Sequence, residues 1–396
     1  MKTQREMKLE PGLVLSCMLM MALIHTQIFN LSGIYTAYVA DDLGIPRFSF
    51  SIHITISMLV CIFVSAFIGR IFDRGKVKRV LLFSAVAAGV CQFLYSFSDR
   101  IWQFYIISFF LGCSAVTLGS TGVSLIIHAA VPEERQGTAL GIAMAGSSLG
   151  GVVFSPVISA ISEALSWRWA YRLVGGVILA VLLPMIAANI TEDIFEIRKT
   201  EKTAVERNTG IRKETMLPSL FFMLVSGFDL IVLNNICVTY YGDLGMAPEA
   251  AAGMFSLMFM CMAAGKLALG PICDHQGHRF GLLTAMLLEL VGYVLALFVP
   301  QAHWLGYLVA VVFGLGNAVA TVGLPLYISD MFGYQEYDRV AGPLFSAFYL
   351  GNALAPMIAA AIFDKSGSYQ IILVVCVFCS LFMAGAVLSG YRRIKN

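Results

Sequence analysis

Residues 191–216, TEDIFEIRKTEKTAVERNTGIRKETM, form the one long polar stretch of this chain. On its N-terminal side lie six apolar stretches: 13–38, 49–68, 80–97, 102–127, 139–165 and 170–190. On its C-terminal side lie six more: 217–240, 250–272, 280–299, 304–328, 340–363 and 371–390. About 20 apolar residues in a helix cross a bilayer core. Backbone groups find no water partner in hydrocarbon, so only helices or closed barrels span it. Runs this long without alternation read as helices. The expected fold is all-α and membrane-embedded. It has an N-terminal six-helix half (1–190), a cytoplasmic linker (191–216) and a C-terminal six-helix half (217–396).

Composition agrees. Of 396 residues, 59% are hydrophobic and only 13% are charged, against about a quarter in soluble domains. Mean hydropathy is +0.82. So few charges cannot cover a soluble fold of this size, which excludes a soluble enzyme, a disordered chain and a nucleic-acid binder. The net charge of +2 implies no polyanionic partner. The nine cysteines lie in or beside apolar stretches and suggest no disulfide framework. Cys376 and Cys379 have the spacing of a metal or redox pair but lack His or acidic neighbours. The first apolar stretch is too long for a signal peptide. No cofactor and no metal is expected.

Lys and Arg set the orientation. With the N-terminus inside, 20 of the 26 fall on the inner side and five on the outer side: Arg47, Arg100, Arg168, Arg172 and Lys365. Both termini are therefore expected in the cytoplasm. The remaining one is Lys266, inside the eighth stretch.

The two halves also echo each other. Gly69, Ile71 and Asp73 recur as Gly270, Ile272 and Asp274, an offset of 201 residues. Gly112, Thr117, Gly119 and Arg135 recur as Gly316, Thr321, Gly323 and Arg339, offset by 204. Gly151 and Pro156 recur as Gly351 and Pro356, offset by 200. Six spans is an even number, so both halves insert the same way up. This is a parallel pseudo-two-fold repeat of the kind that builds transporters.

The stretch Gly69-Arg70-Ile71-Phe72-Asp73-Arg74-Gly75-Lys76-Val77-Lys78-Arg79 resembles the loop 2–3 signature of the major facilitator superfamily. Lys76 stands where the family has its second Gly. The likeness implies a conformational latch of Gly69, Asp73, Arg74, Arg135 and Asp274, in which Asp73 accepts hydrogen bonds at a helix N-terminus of the other half. Pro132 to Gly146, together with Trp167-Arg168-Trp169-Ala170-Tyr171, looks like the start of spans 5 and 6 in monocarboxylate transporters and oxalate/formate exchangers. The Asp-Gly-Gly-Trp-like motif of animal carriers is absent from the first stretch.

Gly265-Lys266-Leu267-Ala268-Leu269-Gly270 resembles the span 8 pattern of carboxylate carriers, with Lys in place of Arg. A membrane-buried ammonium is a natural counter-ion for a carboxylate. Two other readings stay open: snorkelling toward the inner surface, and an ion pair with Asp229. Asp229, mid-way along the seventh stretch, is a candidate proton-coupling group, an ion-pair partner or a helix–helix hydrogen bonder. Glu289 in the ninth stretch is a second coupling candidate, or a bond to a neighbouring helix. His25, Asn30 and Tyr35, with Gln27 and Tyr38, give a polar stripe on a helix that lines the cavity in the family. Asn317 and Asn352 are further substrate-binding candidates, and each Asn is equally explained by helix–helix bonding.

Two motifs are set aside. Gly146-Ser147-Ser148-Leu149-Gly150 matches a hydrolase pattern, but close helix packing through its glycines explains it. Gly265-Lys266 is no phosphate loop, because Leu267 and Met260 stand where Ser/Thr and Gly are needed. No catalytic residue is assigned. The expected function is secondary transport of a small organic anion, a monocarboxylate, by proton symport or anion exchange. The expected setting is a monomer in the cell (inner) membrane. The rivals are an efflux antiporter for apolar compounds and a non-transporting sensor of the same fold. The short tails argue against the sensor.

Overall fold

The computed structural model describes residues 11–72, 76–191, 213–333 and 336–395. Among them regular structure is entirely helical. Eleven helical segments are long and apolar enough to cross a membrane, and Ser49–Ser65 is a shorter apolar helix. The chain divides into two compact units, Met1–Asn208 and Thr209–Asn396.

The N-terminal unit begins with α1 (Pro11–Met20), which runs on as a π-helix over Met21–Asn30. There the Leu31 N–H reaches back five residues to the Thr26 carbonyl. The chain resumes as α2 (Ser32–Leu43), so the stretch expected as one helix is broken at Leu31. Next come α3 (Arg47–Ser65), α4 (Ile68–Phe72) and α5 (Val77–Tyr95). They are followed by α6 (Ile101–Leu118), α7 (Ser120–Ala130), α8 (Gln136–Ala164), α9 (Trp167–Val177) and α10 (Leu183–Asn189). The break between α6 and α7 is at Gly119, whose extended backbone interrupts the helix. The break between α3 and α4 falls at residues 66–67, inside the stretch expected over 49–68.

The C-terminal unit comprises α11 (Lys213–Asp243), α12 (Pro248–Gln276), α13 (His278–Phe298) and α14 (Leu305–Gly316). Then come α15 (Gly323–Phe332), α16 (Tyr337–Ser366) and α17 (Gln370–Lys395). Between α14 and α15 a 3-10 turn, Asn317–Ala320, breaks the stretch expected over 304–328. The 204-residue offset puts the match to Gly119 at Gly323, just after this turn.

Glycine lets the first and fifth spans of each unit touch backbone to backbone. A Cβ on Gly146 of α8 would lie 2.1 Å from the Met18 carbonyl oxygen, and one on Gly150 2.5 Å from that of Ala22. In the other unit, Gly227 of α11 would place a Cβ 2.0 Å from the Phe348 oxygen, and Gly351 of α16 one 2.1 Å from that of Leu224. Such contacts leave no room for a side chain. They account for the Gly-x-Ser-x-Gly stretch as packing.

Candidate functional site

The buried Asp, Glu and Lys side chains among the described residues lie in the C-terminal unit. Asp229 is fully buried midway along this helix. Ser380 Oγ of α17 donates to Asp229 Oδ2 at 2.6 Å, and the Cys376 thiol, one turn earlier, approaches the same carboxyl group. Asp229 Oδ1 has no hydrogen-bond partner. The backbone here is pinned from two sides. The Tyr293 hydroxyl of α13 donates to the Asp229 carbonyl, and Asn317 Nδ2 donates to the Leu230 carbonyl at 2.8 Å.

Glu289 sits one turn before Tyr293 on α13, so both face the same way. It is fully buried, and neither carboxyl oxygen has a hydrogen-bond partner. Its neighbour Tyr293 joins this helix to α11 through the Asp229 carbonyl. A Cβ on Gly316 would lie 2.5 Å from the Glu289 nitrogen, so α14 presses directly on the α13 backbone. An isolated buried carboxylate is strongly disfavoured.

Lys266 of α12 is only 3% exposed. A snorkelled ammonium reaches solvent at the membrane surface, so that reading does not fit. The Asp229 carboxyl is bonded by Ser380 and Cys376. Gly265, beside it, packs against the Leu315 backbone of α14. Asn352 Oδ1 on α16 is buried with no hydrogen-bond partner.

In the N-terminal unit the candidates cluster on the π-helical segment, a geometry often found at functional sites. His25 packs its ring on Phe29 at 4.7 Å and stands opposite the Gly119 break. Asn30 Nδ2 and Thr26 Oγ1 both donate to the Ser147 carbonyl, at 3.2 and 2.7 Å. Tyr35 is buried and stacked on Tyr171 at 4.0 Å. The sequence reading missed His53, Gln92, Tyr293 and Ser380. The available signal was a lone polar group inside an apolar stretch.

Of the latch candidates, Asp73 and Arg74 lie outside the described residues. Gly69 is in α4, Arg135 is exposed beside the start of α8, and Asp274 is half-buried near the end of α12. At the far end of the N-terminal unit, Arg168 bridges Asp42 at 2.7 Å and Asp99 at 2.8 Å. The Trp167 indole donates to Asp42 at 2.9 Å. Asp42 lies beyond the apolar stretch of span 1. The Trp167 and Arg168 bonds hold its carboxyl below the usual carboxylate range.

Long apolar helices with a few deeply buried charges define a multi-pass membrane transport protein. The chain belongs to the Major Facilitator Superfamily, whose sequence model matches residues 17–215 and 219–394. It is similar to monocarboxylate transporter 12 of Homo sapiens, at 22% identity over 296 residues, which are 66% of this chain and 57% of that protein. The chain therefore spans less than two thirds of that relative's length. It is also similar to the multidrug resistance protein MdtG of Citrobacter koseri, at 24% identity over 85% of this chain and 82% of that protein. The fold matches a crystal structure of the human organic anion transporter MFSD10 (TETRAN) with a TM-score of 0.70 and 16% identity. That match covers 95% of this chain and 97% of the other.

Proposed function

We propose that this protein is a secondary transporter of a small organic anion, a monocarboxylate, working by proton symport or anion exchange through alternating access. The carrying observation is the chemistry buried in the C-terminal unit. Asp229 and Glu289 are buried carboxyl groups on helices joined by the Tyr293 hydroxyl, and Lys266 is shielded from solvent. The two carboxyls handle the proton. Lys266 neutralises the substrate carboxylate, helped by polar groups among His25, Asn30, Tyr35, Asn317 and Asn352. Asp73, with Gly69, Arg74, Arg135 and Asp274, biases which face is open. The similarity to monocarboxylate transporter 12 supports the substrate class. In this reading twelve spans form two six-helix halves, 1–190 and 217–396, joined by a cytoplasmic linker. Both termini face the cytoplasm, and the protein works as a monomer in the cell's inner membrane.

The test is uptake of a panel of labelled monocarboxylates into proteoliposomes, with and without an inward proton gradient or a preloaded anion. Accumulation driven by either is the expected result. If neither drives uptake of any anion, the proposal fails. Proton-driven expulsion of apolar compounds would then establish the second reading, an efflux antiporter, which the similarity to MdtG favours.

A further inference from the structure

A small cavity lies inside the N-terminal unit, apart from the candidates named for transport except Gln27 and Tyr35. It is lined by Gln27, which belongs to the polar stripe of the first span, and by Tyr35, His53, Gln92, Tyr95 and Tyr171, among others. These residues come from the π-helical segment, α2, α3, α5 and α9, so the cavity sits where the helices of this unit meet. Its polar walls are buried: Gln27 is 4%, Tyr35 2%, His53 6% and Gln92 3% exposed.

Four of the wall atoms have no hydrogen-bond partner in the protein: Gln27 Nε2, Gln27 Oε1, Tyr35 Oη and Gln92 Oε1. Buried polar groups are almost always bonded, so four orphans around one cavity point to an occupant. Three neighbouring groups already have partners. Tyr95 Oη shares a hydrogen bond with Ser108 Oγ at 2.7 Å, and Ser57 Oγ donates to the Ser108 carbonyl at 3.0 Å. His53 Nδ1 meets the Phe50 carbonyl at 2.5 Å. A carbonyl can only accept, so Nδ1 carries the proton there and Nε2 is the acceptor of the neutral ring.

Size and chemistry choose the occupant. The cavity gives about 20 Å³ to the centres of water-sized spheres, and one water needs roughly 10–15 Å³ by that measure. An organic acid does not fit. An alkali cation cannot satisfy the unpartnered Gln27 amide N–H, and no carboxylate lines the wall to balance its charge. Water both donates and accepts.

We propose that the N-terminal unit binds one or two ordered waters in this cavity, and that they bridge its broken first helix to the helices behind it. Gln27 lies before the break at Leu31 and Tyr35 lies after it. A water bonded to both, and to Gln92 of α5, ties the two segments together without fixing the angle between them. Direct side-chain packing there would hold the segments in one arrangement. A bridging water can change partners while every polar group stays satisfied.

Hydroxyl-radical labelling by X-ray radiolysis, on the full chain in detergent and read by mass spectrometry, tests this. A bound water generates radicals in place and modifies the rings that touch it. Tyr35 and Tyr171 are expected to label several-fold faster than Tyr241, which is buried in the apolar cluster of the other unit. That labelling should survive a bulk radical scavenger that suppresses exposed Tyr307. Labelling of Tyr35 and Tyr171 at the Tyr241 rate, or its loss with scavenger, overturns the proposal. In a second arm, the double variant Gln27→Leu, Gln92→Leu removes three of the four orphan atoms. Loss of the scavenger-resistant label supports the bridge. A variant that melts higher than the parent with its labelling unchanged refutes it.

Discussion

The two units share a packing plan and differ in what they bury. In each, glycines set the first span against the fifth, and the fourth span is broken. Yet the buried Asp, Glu and Lys side chains among the described residues, Asp229, Lys266, Glu289 and Asp338, all belong to the C-terminal unit. The N-terminal unit buries neutral polar groups and histidine instead. Its first span is broken at Leu31, whereas the matching α11 runs 31 residues without interruption. Two units can thus share a packing plan while their buried chemistry differs. Helix contacts made by glycine backbones do not depend on the side chains that point elsewhere. The continuous helix carries Asp229, bonded by Ser380. The broken one is tied through groups that can exchange partners.

Substitutions of the two buried C-terminal carboxyls should have the largest effect. Asp229→Asn should abolish accumulation that follows a pH gradient, because an amide cannot cycle a proton, while exchange of anions persists. Glu289→Gln should weaken accumulation without abolishing exchange. Proteoliposome uptake under an imposed gradient measures both. If Asp229→Asn still accumulates substrate and His25→Gln does not, the division between the units is the reverse of the one drawn here.

Lys266→Gln comes next. Loss of a charge-assisted bond to the substrate carboxylate should weaken binding by about 1.5–3 kcal/mol, on the order of 10- to 150-fold in affinity. Unchanged binding of an anionic substrate would remove Lys266 from the site. Rescue by Asp229→Asn in the double variant would show that the two residues act as a pair.

The shared scaffold predicts equal behaviour in the two units. Gly146→Ala and Gly227→Ala each force a methyl onto a carbonyl oxygen of the neighbouring helix. Each should destabilise by roughly 1–3 kcal/mol, the range for overpacking, read as a fall in melting temperature in detergent. A large effect in one unit and none in the other would break the parallel.

The smallest effect belongs to the Asp42 clamp of the N-terminal unit. Asp42→Asn should cost at most about 1 kcal/mol, as exposed ion pairs do. The carboxyl of Asp42 is held below its ordinary value. Its contribution is therefore fully present above the unfolded value of about 3.9 and is lost as pH falls through the lower folded value. Melting curves of parent and variant should differ at neutral pH and converge in strong acid.

The sequence by itself determined the helical class, the membrane setting and the family. Hydrocarbon forces backbone bonds to close within each segment, so long apolar runs have one solution. It also marked Asp229 and Lys266, because any ionisable residue inside such a run stands out. The grouping of these residues was decided only in three dimensions. Glu289 read equally well as a bond to a neighbouring helix, and only the fold joins its helix to that of Asp229 through Tyr293 and sets Ser380 on the Asp229 carboxyl. The break at Leu31 and the meeting of Gln27, Tyr35, His53 and Gln92 were likewise invisible. A helix that is apolar all round carries little periodicity to say which face turns inward. That choice is made by the close contacts between helices, and these are a property of the packed unit.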